Sequence, residues 1–332
     1  MLKHPGGHLF TSSYRLLLLP IIALLALSLI SINIGVGDFS FSHLWADNDD
    51  AQVWQLLIIS RLPRTLALVI SGMTLAVAGL IMQMLVRNRF VEPSTAGTIE
   101  SATLGILLVT LIAPDTPVFI KMLVAGAFSM MGTLVFMALL SRVPLRSPYL
   151  VPLIGLVLGG VVLACTTFFA YRFDLVQSLH AWTIGDFSGI LQGRYELLWL
   201  SLLLALLACF AADRFTVAGM GEAFTTNLGL NHRALTLFGL LVVSGISATV
   251  VITSGNIPFL GLIVPNIVSL LFGDNMRQSI PWVALLGGTF VLLCDIIGRL
   301  IYYPYEIPIG TVVGVIGSVL FLTILFGRRN RA

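Results

Sequence analysis

RLPRTLALVISGMTLAVAGLIMQMLVRNRFVEPSTAGT, residues 61 to 98, is the stretch on which the fold turns. From Thr65 to Val86 it carries no charge, and a helix needs only ~20 mostly apolar residues to cross ~30 Å of hydrocarbon. A membrane span over 62-85 is therefore expected. Arg61 and Arg64 stand at one end of it, Arg87 and Arg89 at the other. Long guanidinium side chains at such ends reach toward headgroups, so by themselves they mark only the borders of the bilayer. Gly72 and Gly79 are small residues of the kind that let helices approach closely where water does not drive them together.

Outward from this stretch the same composition persists. Of 332 residues, 58% are hydrophobic and 10% charged, against roughly 25% charged in soluble domains. The mean hydropathy is +1.01. Apolar runs punctuated by Gly, Pro and charge predict an all-α polytopic membrane protein, a single transmembrane domain over 1-332 with about ten transmembrane helices. The spans fall near 16-36, 62-85, 96-113, 118-140, 149-171, 195-213, 233-253, 258-272, 281-300 and 308-326. The eighth is short and interrupted by Pro258 and Pro265, which leaves open whether it crosses fully. The first run follows Lys3 and Arg15 as a signal peptide would, yet no small-residue cleavage site closes it, and it reads as an uncleaved span.

The distribution of Lys and Arg orients the chain, because cytoplasmic loops hold their excess. With both termini cytoplasmic, only Arg61, Arg64, Lys121, Arg172, Arg194 and Arg299 of the 18 lie outside or near outer span ends. Two loops carry content. Outside, LVQSLHAWTIGDFSGIL at 175-191 is amphipathic, and its Trp182 and Phe187 suit an interfacial helix or a vestibule wall. Inside, RFTVAGMGEAFTTNLGLNHR at 214-233 is polar, Gly-punctuated and long enough for a short helix between turns, the shape of a docking element for a soluble partner.

Reactive chemistry is sparse. No G-x-x-x-x-G-K-[ST] phosphate loop occurs, so the chain cannot hydrolyse ATP alone, and no catalytic residue is assigned. Cys165, Cys209 and Cys294 lie singly in apolar runs and read as packing residues; His4 and His8 read as solvated, and no metal site is assigned. Asp295 and Arg299, spaced i, i+4, are set to pair on one helix face, with a proton relay as the alternative. Glu100 reads as a buried hydrogen-bonded carboxyl or as one solvated near the cytoplasmic end. Gly155 and Gly159, and Gly310 and Gly314, form small-residue seams that either pack helices of this chain or line a dimer interface and its pore. An ion- or proton-coupled secondary transporter is the competing reading, though the coupling charges it needs are largely missing.

Three blocks make the chain similar to a known family. The opening run follows R-x-P-R, G-x-x-L-x-x-x-G-x-x-x-Q and R-N-P-L-x-x-P through Arg61, Pro63, Arg64, Gly72, Leu75, Gly79, Gln83, Arg87, Asn88 and Pro93, with Arg89 where the pattern has proline. GMGEAFTTNLGLNHRAL at 219-235 matches a loop in which Ala-x-x-Leu-Gly recurs, here through Thr225, Leu228 and Gly229. A long C-terminal block retains Gly255, Pro265, Asp274, Asp295, Arg299, Glu306, Pro308 and Gly310, among others. On these blocks the chain resembles the FecCD-type cobalamin and ferric-siderophore permeases of ABC importers. PNIVS at 265-269 replaces the usual P-H-I-x-R, and with NRFVEPSTAGT and YPYEIPIG it resembles the branch associated with catecholate-type siderophores.

The resemblance implies ten helices per subunit and a dimer with a second permease, the same or a homologous chain. It further implies separate ABC ATPase subunits beneath, which use ATP and Mg, and an extracytoplasmic (periplasmic) siderophore-binding protein above. The permease itself would bind no cofactor and no nucleic acid, and would sit in the lipid bilayer of the cytoplasmic (inner) membrane. It implies docking of the binding protein at Arg61, Arg64 and Arg299, and ATPase coupling at Glu222, Ala223, Asn227, Leu228 and Gly229. Ser147 and Tyr149, which open span five after a cytoplasmic loop, are the candidates for an inner gate.

Overall fold

The computed structural model describes residues 16–35, 51–143 and 149–329; Lys3, His4, His8, Arg15 and Ser147 lie outside the described residues. Among the described residues there are helices and no strands. In chain order they are α1 (Leu18–Asn33), then α2, which runs from Ala51–Leu56 through a π-turn, Leu57–Arg61, into Leu62–Val86. Next come α3 (Thr98–Ile112), α4 (Val118–Arg142), α5 (Leu150–Arg172) and α6 (Val176–Thr183). They are followed by α7 (Leu198–Phe210), α8 (Ala212–Gly219), α9 (Glu222–Asn227) and α10 (His232–Ser254). The chain closes with α11 (Leu260–Phe272), α12 (Met276–Ile301) and α13 (Ile309–Arg329).

Six of these, α2, α4, α5, α10, α12 and α13, are long and apolar enough to cross a membrane. The pair α7 and α8 meets the same test jointly but is bent by 68° at its break, while α1, α3 and α11 are shorter apolar helices. Each of the ten expected spans overlaps an apolar helix or the bent pair, and six of them are of full crossing length. The sixth expected span, 195-213, is instead broken after Phe210 and bent; at two other borders the difference is due to proline. The membrane-length part of α2 begins at Trp54 rather than 62, because Pro63 does not start the helix. Lacking an N–H and crowding the carbonyl four residues back, it is absorbed by the π-turn instead. The carbonyl it orphans, Ile59 O, accepts the backbone N–H of Gln192 at 2.9 Å. Likewise α12 starts at Met276, ahead of 281, with Pro281 inside it.

The same accounting explains Gln83. Pro265 inside α11 leaves Gly261 O without its helical donor, and Gln83 Nε2 of α2 supplies one at 3.2 Å. In lipid, where no water can substitute, such a replacement is what makes a proline-containing helix tolerable.

α2 is the axis of the bundle. Most of it is buried, with α12 packed along its length and α10 and α11 on its flanks; α3, α4 and α5 form a layer beyond, and α1 lies on α12. Glycine permits the closest crossings. A Cβ on Gly79 would fall 2.1 Å from Gly261 O, and one on Gly72 2.7 Å from Gly287 O. By contrast α5 and α13 are mostly uncovered, presenting Leu153, Val157, Val315 and Val319 outward.

Candidate functional site

Of the three arginines expected at the outer face, Arg61 and Arg299 converge on the C-terminal end of α1, and Arg64 joins them through Asp295. The last carbonyls of a helix have no partner within it and carry the negative pole of its dipole, so cations collect there. Arg61, in the π-turn, donates from Nη1 to Ile32 O at 2.8 Å and Asn33 O at 3.2 Å. Arg299 of α12 donates from Nη1 to Ser31 O at 3.0 Å and Ile34 O at 2.8 Å, and from Nη2 to the Ser31 hydroxyl. Asp295 then bridges the cluster, accepting from Arg299 Nη2 on one oxygen and from Arg64 Nη2 at 2.8 Å on the other. Arg64 completes its fork on Glu306, at 2.8 and 3.0 Å.

The expected pairing of Asp295 with Arg299 is therefore present, inside a larger lattice that sequence spacing did not reveal. Burial separates its members. Arg61 and Arg299 are only 7% and 5% exposed, whereas Arg64 and Glu306 are the pair nearest solvent. Arg61 and Arg299 thus point inward, locking α1 to α2 and α12, rather than standing free at a rim. Glu306 was visible in YPYEIPIG, but nothing in its spacing pointed to Arg64. The α1 carbonyls carry no side-chain signal at all.

At the opposite end, α8 and α9 form the segment that connects α7 to α10. Thr225, buried, ties this segment together by donating to Gly221 O at 2.7 Å. Gly229, at φ +77°, adopts the left-handed conformation that ends α9 and allows Leu230 N–H to bond back to Thr225 O at 3.1 Å. Glu222, Ala223, Asn227, Leu228 and Gly229 are all exposed. The structure adds two residues to them. Met220 and Phe224 lie four apart with Leu228, and all three large apolar side chains face outward. Helical spacing relates only Phe224 to Leu228, because Gly221, at φ +113°, separates Met220 from α9.

Tyr149 stacks on Phe90 with ring centroids 5.3 Å apart, and Phe90 meets Phe321 edge-on at 6.1 Å. The aromatic contact joins the start of α5 to the 87–97 segment and to α13. Phe90 was not singled out from sequence, because it follows the atypical Arg89, which pairs with Asp274. The seam glycines have unequal neighbours within the chain. Gly155 abuts Thr95 O, Gly159 the Glu100 carboxyl, Gly310 the backbone of Gly185, and Gly314 lies 3.8 Å by its Cβ position from Pro258. Phe187 is buried in the core rather than lining a vestibule, while Trp182 falls on the short helix α6.

Glu92 is a further residue that sequence reading passed over. Its carboxylate is buried and accepts the N–H of Phe259 at 2.9 Å, and the backbone of Gly261 and Leu262 also bonds to it. It therefore caps the start of α11 from a segment more than 160 residues away.

Comparison with known proteins gives this geometry a context. The FecCD transport family pattern matches residues 22–327. The petrobactin import system permease protein YclN of Bacillus subtilis (strain 168) is 47% identical over 311 residues, covering 94% of this chain and 98% of that one. The ferric-anguibactin transport system permease protein FatD of Vibrio anguillarum is 40% identical over 305 residues, covering 92% and 96%. A solved structure described as an inward-facing conformation of a metal-chelate type ABC transporter superposes with a TM-score of 0.78. Its identity is 25%, over 94% of this chain and 99% of that one.

Proposed function

The chain belongs to the FecCD transport family, and from that membership we propose that it is the permease of a binding-protein-dependent ABC importer whose cargo is a ferric siderophore of catecholate type. The observation that carries the reading is the near end-to-end identity, 47% over 94% of the chain, with a petrobactin import permease. With no phosphate loop in the sequence, hydrolysis falls to a separate ATPase subunit. Ion-gradient coupling is disfavoured by Asp295, whose two oxygens are both engaged by arginines and so are not poised to carry a proton.

In this reading both termini are cytoplasmic, in the inner membrane. The Met220, Phe224 and Leu228 ridge enters a cleft of the ATPase, and closure of that partner is transmitted through α8 to α2, α10 and α12, against which α8 packs. The second permease covers the open faces of α5 and α13. The binding protein docks over the Arg64–Glu306 pair, while Arg61 and Arg299 hold α1 in place beneath it. Ion pairs at such a rim steer encounter and fix orientation more than they add affinity.

The test is ATP hydrolysis by the complex in lipid vesicles, with and without the binding protein loaded with ferric siderophore. Loaded binding protein is expected to stimulate hydrolysis several-fold, and Leu228→Asp to abolish that stimulation by placing a charge on the buried side of the joint. An ATPase that neither binds the chain nor responds to the loaded binding protein would overturn the proposal.

A further inference from the structure

The bend between α7 and α8 opens a cavity of about 480 Å³ against the start of α10, lined among others by Leu207, Phe210, Arg214, Leu230, Asn231 and Phe238. Its walls divide by chemistry. Leu203, Leu207 and Phe210 follow one another at i, i+4 and i+7 on α7, and Phe210 is 87% exposed. On neighbouring α10 the apolar wall is Ala234, Leu235 and Phe238. The α7 track is continued, at the same end of the bundle, by Arg214, which is exposed and lines the cavity.

Arg214 makes no ion pair or hydrogen bond among the described residues, because its neighbour Asp213 is already engaged by Arg277 at 3.0 Å. Apolar walls from two helices meeting at a hollow with an unpaired guanidinium at one end match one kind of molecule. We propose that this cavity binds an anionic phospholipid of the cytoplasmic leaflet. The phosphate lies at Arg214, whose guanidinium fork offers paired donors, beside Asn231, and the acyl chains lie along Leu207, Phe210 and Phe238. The inner leaflet is where anionic lipid is abundant and where polybasic sites are attracted to it. The inference rests on the cytoplasmic placement of this end in the importer reading, and not on the cargo. A lipid seated in the hollow holds the angle at which α8 and α9 leave the bundle, so its presence sets the position of the coupling ridge.

The test is native mass spectrometry of the delipidated full chain, titrated with phosphatidylglycerol or with phosphatidylcholine. One retained phosphatidylglycerol, preferred over phosphatidylcholine, is expected. Arg214→Gln should weaken retention about fivefold, whereas Arg233→Gln, exposed at the same end but outside the cavity lining, should not. Ala234→Trp, which fills the cavity without altering charge, should abolish it. Arg142→Gln, at the exposed end of α4 away from this cavity, should leave it unchanged and so controls for arginines that merely reach bulk headgroups. Thermal unfolding of each variant identifies any that fails to fold. Equal retention of the two lipids, or undiminished retention in folded Arg214→Gln or Ala234→Trp, overturns the proposal. Stimulation of ATP hydrolysis by the loaded binding protein is a separate readout: if it persists while the lipid preference is absent, the importer reading stands and this inference alone fails.

Discussion

At the scale of single residues, the polar groups of this chain are chiefly repairs to its backbone. Gln83 is the plainest case, donating to the carbonyl that Pro265 leaves orphaned in α11. Gln83→Leu should therefore cost about 1–3 kcal/mol, the price of an unsatisfied buried acceptor, read as a lower midpoint of thermal unfolding in detergent. Pro265→Ala returns the missing N–H, so the double variant should recover most of the loss; a loss equal in both backgrounds would refute the account. Gln83 was legible in the sequence as part of a motif, but its purpose was not, since Gly261 O is 178 residues distant. Asp295 shows the opposite balance. Its i, i+4 bond to Arg299 could be read directly, whereas its bridge to Arg64 and the fork onward to Glu306 join residues that no local pattern relates.

Among elements, the apolar runs made an all-helical membrane protein legible because lipid demands near-uniform hydrophobicity over a fixed length, and six of the expected spans appear as helices long enough to cross. They misplaced the starts of α2 and α12 because proline reads locally as punctuation, while the surrounding bundle re-satisfies the groups it frees. The glycine seams were visible as seams, but which surface each one faces depends on packing that no single helix encodes. That distinction can be measured on one residue type. Gly79→Ala drives a methyl into the Gly261 backbone, which cannot yield as a flexible side chain would, and should destabilise the chain by about 1–3 kcal/mol. Gly160→Ala, with nothing within 4 Å, should be neutral or slightly stabilising by helix propensity. Equal effects of the two substitutions on thermal unfolding would mean that α2 and α11 do not touch as described.

For the molecule as a whole, the two ends differ in construction. One is a lattice of paired charges that fixes α1; the other is a short helical segment with an apolar ridge, joined to the bundle at a 68° bend. Between them, α3 and α11 run for 15 and 13 residues, about 22 and 20 Å of rise, short of ~30 Å of hydrocarbon. Segments 87–97 and 255–259, which lead into them, make up the difference as non-α backbone, with Glu92 stitching one to the other. Amide protons in an unbroken span are locked by their own helix, whereas those of irregular backbone depend on individual partners. In heavy water the bundle should therefore label unevenly, with 87–97 and 255–259 taking up deuterium well before the flanking turns of α2 and α10. The place where the chain abandons its helices is thus also where isotopes of hydrogen can enter a wall that elsewhere keeps them out.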